Sequence, residues 1–229
     1  MRETTEQKRA RRVRNAEAVE QARAVFVAAP PREGFTFSKR WFRYFEHDYN
    51  CASLNDRSVE VALARVAYPE RGKRVLEVGN VLRHYFPMMS HPVVDKYEVA
   101  PGVTNADVMD YAPRAQVDLV VSLSTIEHVG HDEKPRDPRK AARSLHRMRS
   151  WLAPSGKMLV TWPIGHNRGL DEALASGSLP FDDVGYMLRV SAANEWREAS
   201  WADVRSCKMH YPFHWGNGLV VGAVGDPFA

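Results

Sequence analysis

Apolar residues cluster in short runs through the middle of the chain, within Arg74 to Val78, Val93 to Tyr97, Asp118 to Leu123 and Lys157 to Thr161. Runs that are apolar on consecutive positions, not alternate ones, suit strands buried on both faces, as in a parallel sheet covered by helices. Helical patterning lies between them, most clearly from Pro138 to Leu152. Ahead of them Asn55-Asp56-Arg57 is expected to cap a helix through Val59, Leu63 and Val66 to Tyr68, stopped by Pro69. The alternation predicts an α/β fold, a Rossmann-like doubly wound, mostly parallel sheet. Beyond Phe181, the segments Met187 to Val190, Trp201 to Met209 and Leu219 to Val224 are expected to add strands. The last of these would be the antiparallel C-terminal one.

The start of the chain is patterned differently. Thr4 to Ala29 is rich in Ala, Glu, Arg and Gln, good helix formers, until Pro30-Pro31 stops it. From Phe35 to Asp48, six aromatic rings sit among Arg and Lys, too dense for an idle linker. They either seal the edge of the core or form a lid over a pocket. The expected organisation is a basic N-terminal helix or arm over 1–30, an aromatic-rich helical cap over 31–70, and the main domain over 71–229.

Composition narrows this picture. With 229 residues, 44% of them apolar and 26% charged, the chain can bury one substantial core. No run of about 20 apolar residues is present, and no apolar segment follows the basic N-terminus, so a cytoplasmic protein without a membrane anchor is expected. Cys51 and Cys207 are too few and too isolated for a disulfide framework or a zinc site. The net charge of +4 owes much to Lys8, Arg9, Arg11, Arg12 and Arg14. That run reads as a solvated arm or as a contact for nucleic acid or another anionic surface.

In an open parallel sheet, ligands bind outside the carboxyl ends of the strands, where the strand order reverses. After the first strand stands Glu77-Val78-Gly79-Asn80-Val81, where Gly79 permits a sharp turn and close approach of backbone amides to a ligand. The further glycines of a dinucleotide fingerprint are replaced, by Val81 and by residues beyond it, which disfavours a pyrophosphate and hence a nicotinamide cofactor. After the second strand, Asp95 lies eighteen residues beyond Glu77, where a carboxylate can accept from both hydroxyls of a ribose, with Glu98 as its rival. Asp107, in Asn105-Ala106-Asp107-Val108, could accept from an exocyclic amine such as that of adenine. Each carboxylate could equally be a turn former or a helix cap.

The fourth strand ends in Ser124-Thr125-Ile126-Glu127-His128-Val129. Here the chain resembles the class I S-adenosylmethionine (SAM)-dependent methyltransferases, particularly bacterial small-molecule members of methyltransferase type 11-like character, over roughly residues 53–167. The resemblance implies the class I methyltransferase fold and SAM as cofactor. It implies that Glu77 and Gly79 shape the loop around the amino-acid part of SAM, that Asp95 holds the ribose, that Asp107 and Val108 meet the adenine, and that Ser124 flanks the cofactor. Such enzymes usually carry Gly-x-Gly where this chain has Gly79-Asn80-Val81. Asn80 would compensate by bonding the methionyl carboxylate or by adopting a left-handed backbone.

Methyl transfer from a sulfonium needs proximity, alignment and, for a hydroxyl acceptor, a base. His128, His131 and Asp132 follow the strand end where the methyl would lie, and His131 or His128 is the candidate base; an imidazole packed on the next helix explains His128 as well. Trp162, His166 and Asn167 follow the fifth strand and are expected to face an acceptor, although a plain turn accounts for Asn167 too. His210 and His214 are spaced as metal ligands, but Pro212 between them opposes a helix that would align them, and no metal is expected. The function expected is methylation of a small polar acceptor at oxygen or nitrogen: a sugar, nucleoside or secondary metabolite in a biosynthetic pathway. The rivals are an RNA or protein methyltransferase, a nicotinamide-dependent oxidoreductase, and a SAM-binding partner protein that does not methylate.

Overall fold

The structure is a computed structural model and describes residues 5–229; residues 1–4 of the expected N-terminal arm lie outside them. Helix α1 (Thr5–Ala28) runs to the predicted proline stop with most of its surface exposed. The aromatic segment then departs from the expected helical cap. It opens with an antiparallel hairpin, β1 (Gly34–Phe37) and β2 (Arg40–Arg43), in which Phe35 faces Phe42 across the strands with the rings stacked 5.5 Å apart. The hairpin turns on Ser38 and Lys39, both at positive φ (49° and 61°), the geometry that matches strand twist in a two-residue loop. Phe35, Phe37, Phe42 and Tyr44 are buried with Met187, Trp196 and Phe228, so the rings seal the edge of the core. Each buried ring contributes about 1.5–3 kcal/mol.

A 3-10 turn (Tyr49–Leu54) leads into α2 (Arg57–Ala67), which is followed by Pro69 as expected. Then come β3 (Val75–Val78), the short α3 (Leu82–Tyr85), β4 (Val93–Val94), β5 (Val103–Thr104), β6 (Val117–Leu123), α4 (Lys140–Arg149) and β7 (Leu152–Pro163). The chain ends through α5 (Arg168–Ala175), β8 (Asp183–Arg189), β9 (Trp196–Ala199), α6 (Trp201–Val204) and β10 (Gly218–Val224). The main sheet has eight strands in the order β5-β4-β3-β6-β7-β10-β8-β9. From β5 to β7 the pairings are parallel, whereas β10 runs antiparallel to both β7 and β8. Every residue of β3 and of β10 is buried, as unbroken apolar runs require. One face is covered by α2 and the hairpin, and the other by α4 and α5 through Leu145, Met148, Leu170 and Leu174. No helix among the described residues is long and apolar enough to cross a membrane.

One expected strand is a helix with a loop. Residues 201–209 begin with α6 because Ser200 and Asp203 form a capping box: Asp203 accepts from the Ser200 amide at 2.9 Å, and the Ser200 hydroxyl accepts in return. Outside the sequence reading altogether were α5, β5 and β9.

Arg32 ties the hairpin to the body. Its guanidinium lies 4.2 Å above the Tyr44 ring centre, and it donates to the Ser53 carbonyl at 2.7 Å and to the Asn194 carbonyl. Arg32→Ala is expected to lower stability by about 2–3 kcal/mol, through lost charge-assisted bonds and ring contact. In a chain of this length that is a fall in Tm of roughly 5–10 °C, read by thermal melting. A shift under about 2 °C would show that the hairpin docks without it.

Candidate active site

From β3 the chain winds outward through β4 to β5, and from β6 it winds the other way to β7. The reversal leaves a crevice above the carboxyl ends of β3 and β6. Gly79 stands at its floor with φ +86°, and its amide donates to the Val94 carbonyl at 2.8 Å. A Cβ at Gly79 would come within 2.1 Å of the Thr125 hydroxyl oxygen, so glycine is required both by conformation and by the closeness of the two strand ends. The left-handed position is Gly79 itself and not Asn80.

Below this loop lies Glu77, fully buried and fully engaged. One carboxylate oxygen accepts from the amides of Val81 (2.9 Å) and Leu82 (2.6 Å), and the other meets His91 Nε2 at 2.7 Å. His91 Nδ1 in turn meets the Tyr68 hydroxyl at 3.0 Å. Glu77 therefore fixes the turn from behind without facing the crevice. Asn80 donates through Nδ2 to Glu98 at 2.5 Å, and its amide oxygen is buried with no partner among the described residues. His84 Nε2 lies 3.0 Å from the same Glu98 oxygen. Glu98, the rival for a ribose, does not line the pocket that Asp95 lines.

Asp95 stands at the end of β4. Its Oδ1 accepts from the amides of Tyr97 and Glu98, each at 2.8 Å, which orients the carboxylate, and no bond to Oδ2 forms among the described residues. Gly79, Asp95, Tyr97, Val108, Thr125 and His128 share one narrow pocket, with Val78 and Val94 as its apolar wall. Asp107 borders it but is occupied. Its Oδ1 accepts from the Met109 amide (3.0 Å), and its Oδ2 accepts from Lys96 (2.8 Å) and from Lys140. Glu133 joins the two lysines at 3.0 and 2.6 Å, closing a four-charge cluster over that end of the pocket. Burial works to raise the Asp107 pKa, but the bonds from Lys140 and Lys96 prevail and hold it at about 2. An exocyclic amine would have to displace an ammonium group to reach it, so the chain as it stands does not leave Asp107 free for adenine.

Ser124, at φ 36°, points towards α2 and not into the pocket, donating to Glu60 at 2.5 Å. Thr161 donates to the same Glu60 oxygen at 2.6 Å, while Arg57 donates to the other at 2.9 Å and to the Leu123 carbonyl at 2.8 Å. Burial pushes the Glu60 carboxyl up and Arg57 pulls it back. Next to them Glu127, 2% exposed, has one carboxyl oxygen with no partner among the described residues, and burial drives its pKa well above the ordinary range. Glu60 and Thr125 were not among the residues singled out from sequence, and Arg57 entered only as part of a helix cap. The available signal was a charged Arg57/Glu60 pair, three apart, in the first turn of a largely apolar helix.

At the β7 side of the crevice, His128 Nδ1 and Asp132 lie 2.6 Å apart. The His128 and His166 rings are 4.5 Å apart between centres, and those of His131 and His166 are 5.2 Å apart. Burial and the neighbouring His128 push the His166 pKa down to about 4. His128, His131, Asp132 and His166 are thus brought together. Asn167 is not available to them: it is buried, caps α5 by accepting from the Leu170 amide at 3.3 Å, and donates to the Glu127 carbonyl at 2.9 Å. Trp162 is fully buried in the core beneath α4 and α5, its ring 5.9 Å from that of Phe181, and cannot meet an acceptor. His210 and His214 pair with each other, their rings 4.8 Å apart.

No family model matches the chain, and no curated protein matches it. Among solved structures it is similar to a SAM-dependent methyltransferase, possible histamine N-methyltransferase, from Thermotoga maritima (14% identity, 77% of this chain, 94% of that one, TM-score 0.45). It is also similar to the N-methyltransferase NodS from Bradyrhizobium japonicum WM9 in complex with S-adenosyl-L-homocysteine (11%, 73% and 85%, TM-score 0.44). A third is the sugar N-methyltransferase KedS8 from a Streptoalloteichus species (14%, 87% and 99%, TM-score 0.38). By its own strand order the chain has the doubly wound, mostly parallel α/β sheet with the antiparallel C-terminal strand expected from its sequence.

Proposed function

We propose that the protein is a SAM-dependent methyltransferase acting on a small polar acceptor, a sugar, nucleoside or secondary metabolite, at oxygen or nitrogen. The observation that carries this reading is the pairing of Gly79 with Asp95 at the strand-order reversal, the carboxylate oriented by two amides and keeping Oδ2 for a ligand. A carboxylate so placed accepts from vicinal hydroxyls. The buried Asn80 oxygen is a second unfilled acceptor on the same loop. With Nδ2 spent on Glu98, Asn80 suits the ammonium of a methionyl group and not its carboxylate. SAM, when bound, supplies an electrophilic methyl group on a sulfonium.

The chain's own residues do the rest. Asp95 and the Gly79 turn position the nucleoside, while Glu77 keeps that turn rigid. His128, His131 and His166 present imidazoles and Asp132 a carboxylate where the acceptor must give up its proton. Isothermal titration with SAM, S-adenosylhomocysteine and NAD tests the reading. Binding of the first two with none of the third is the expected result; NAD binding without SAM would point to an oxidoreductase instead.

A further inference from the structure

We propose that His128, Asp132 and His166 form a binding site for one divalent transition-metal ion at the β7 side of the crevice. One ligand atom from each residue lies within 4.8 Å of the other two. His128 and Asp132 come from the turn after β6 and His166 from the loop after β7, so two neighbouring strand ends hold the three groups in place. The pattern is invisible along the sequence because His166 arrives from a different strand.

Two buried atoms show that these groups are arranged for something further. His166 Nε2 is buried and has no hydrogen-bond partner among the described residues, although an imidazole in a settled core position finds one. Behind His128 stands Glu127, 2% exposed, with one carboxyl oxygen 3.8 Å from His128 Nε2 and the other unpartnered. A buried carboxyl behind a ligating imidazole orients it by accepting its other N–H, which Glu127 would do on closing from 3.8 Å to hydrogen-bond distance.

The donor set selects the ion. Two imidazoles and one carboxylate suit zinc, cobalt or nickel, whereas magnesium and calcium take oxygen ligands. Around a tetrahedral ion with bonds of about 2.0–2.1 Å, ligand atoms stand roughly 3.3 Å apart. His166 must therefore close on the pair by up to about 1.5 Å, while His128 and Asp132, 2.6 Å apart, open slightly to admit the ion between them. His128 and Asp132 have side chains 48% and 52% exposed, which leaves a path of entry and open coordination positions. His131, whose ring neighbours that of His166, is placed to complete the set. The His210 and His214 pair lacks a carboxylate partner among the described residues and is not part of the site.

The ion site does not rest on methyl transfer: a bound ion would hold His128, Asp132 and His166 as ligands in place of the proton-accepting role proposed above, and the test needs no turnover. Tag-free protein, stripped with a chelator, is titrated with cobalt(II) and followed by its visible absorption bands. One equivalent should bind and be displaced by zinc. Asp132→Asn and His166→Ala should each weaken binding at least tenfold, while His210→Ala should not. If His166→Ala fails to fold, Asp132→Asn decides alone, since its side chain is half exposed and outside the core. No cobalt uptake up to about 100 µM, uptake unchanged in Asp132→Asn, or a magnesium preference would each overturn the site.

Discussion

Asp95→Ala is expected to raise the dissociation constant for SAM and for S-adenosylhomocysteine between about a hundredfold and ten-thousandfold. A ribose held through both hydroxyls makes two hydrogen bonds to a charged group, each contributing about 1.5–3 kcal/mol, and every 1.4 kcal/mol is about a factor of ten. The carboxylate is already oriented: Oδ1 is fixed by the Tyr97 and Glu98 amides, so the ligand meets a pre-set Oδ2 and little ordering is lost on binding. The substitution leaves the end of β4 in place, because the parallel ladder to β3 and β5 is made by backbone groups. Asp95→Asn serves as the control. It keeps an oxygen for the two amides but loses the charge, and should fall between the wild type and Asp95→Ala. Calorimetry reads all three, and an Asp95→Ala protein that binds SAM as the wild type does would remove the ribose assignment.

The framework of this site was legible in the sequence because it depends on consecutive burial. The apolar runs of β3, β4 and β6 give their own positions, and the residues beyond their ends follow directly: Gly79, Asp95 and His128 line one pocket. Misreadings arose where a residue's role depends on a partner from another element. Asp107 carries a carboxylate in the expected place, but its fate is decided by Lys96 and Lys140, one from the loop after β4 and one from α4. Trp162 and Thr161 are adjacent, and alternation sends them to opposite faces of the sheet. Thr161 reaches Glu60 under α2, which leaves Trp162 in the core beneath α4 and α5. In the hairpin, ring density alone does not separate a helical cap from a pair of strands, whereas the period does. Phe35 and Phe37 are buried on either side of exposed Thr36, a two-residue repeat that belongs to a strand.

Glu77→Ala is expected to cost about 3–5 kcal/mol of stability, because a fully buried carboxylate is removed from partners that cannot reach water. The amides of Val81 and Leu82, which open α3, lose their acceptor, and His91 Nε2 loses its partner. In a chain of this length that corresponds to a fall in Tm of roughly 6–20 °C. Glu77→Gln separates shape from charge. Its amide oxygen can still accept from Val81 and Leu82, and its amide nitrogen can face His91 if the imidazole moves its proton to Nδ1, which then has to donate to the Tyr68 oxygen. The turn then survives at a smaller loss of stability. Because that turn places Gly79 against the pocket, Glu77→Gln should still bind SAM, while Glu77→Ala should bind poorly even below its melting temperature. Thermal melts and titration at 15 °C distinguish the two variants. A Glu77→Ala protein within about 1 kcal/mol of wild type would show that the loop after β3 holds its shape through the backbone alone.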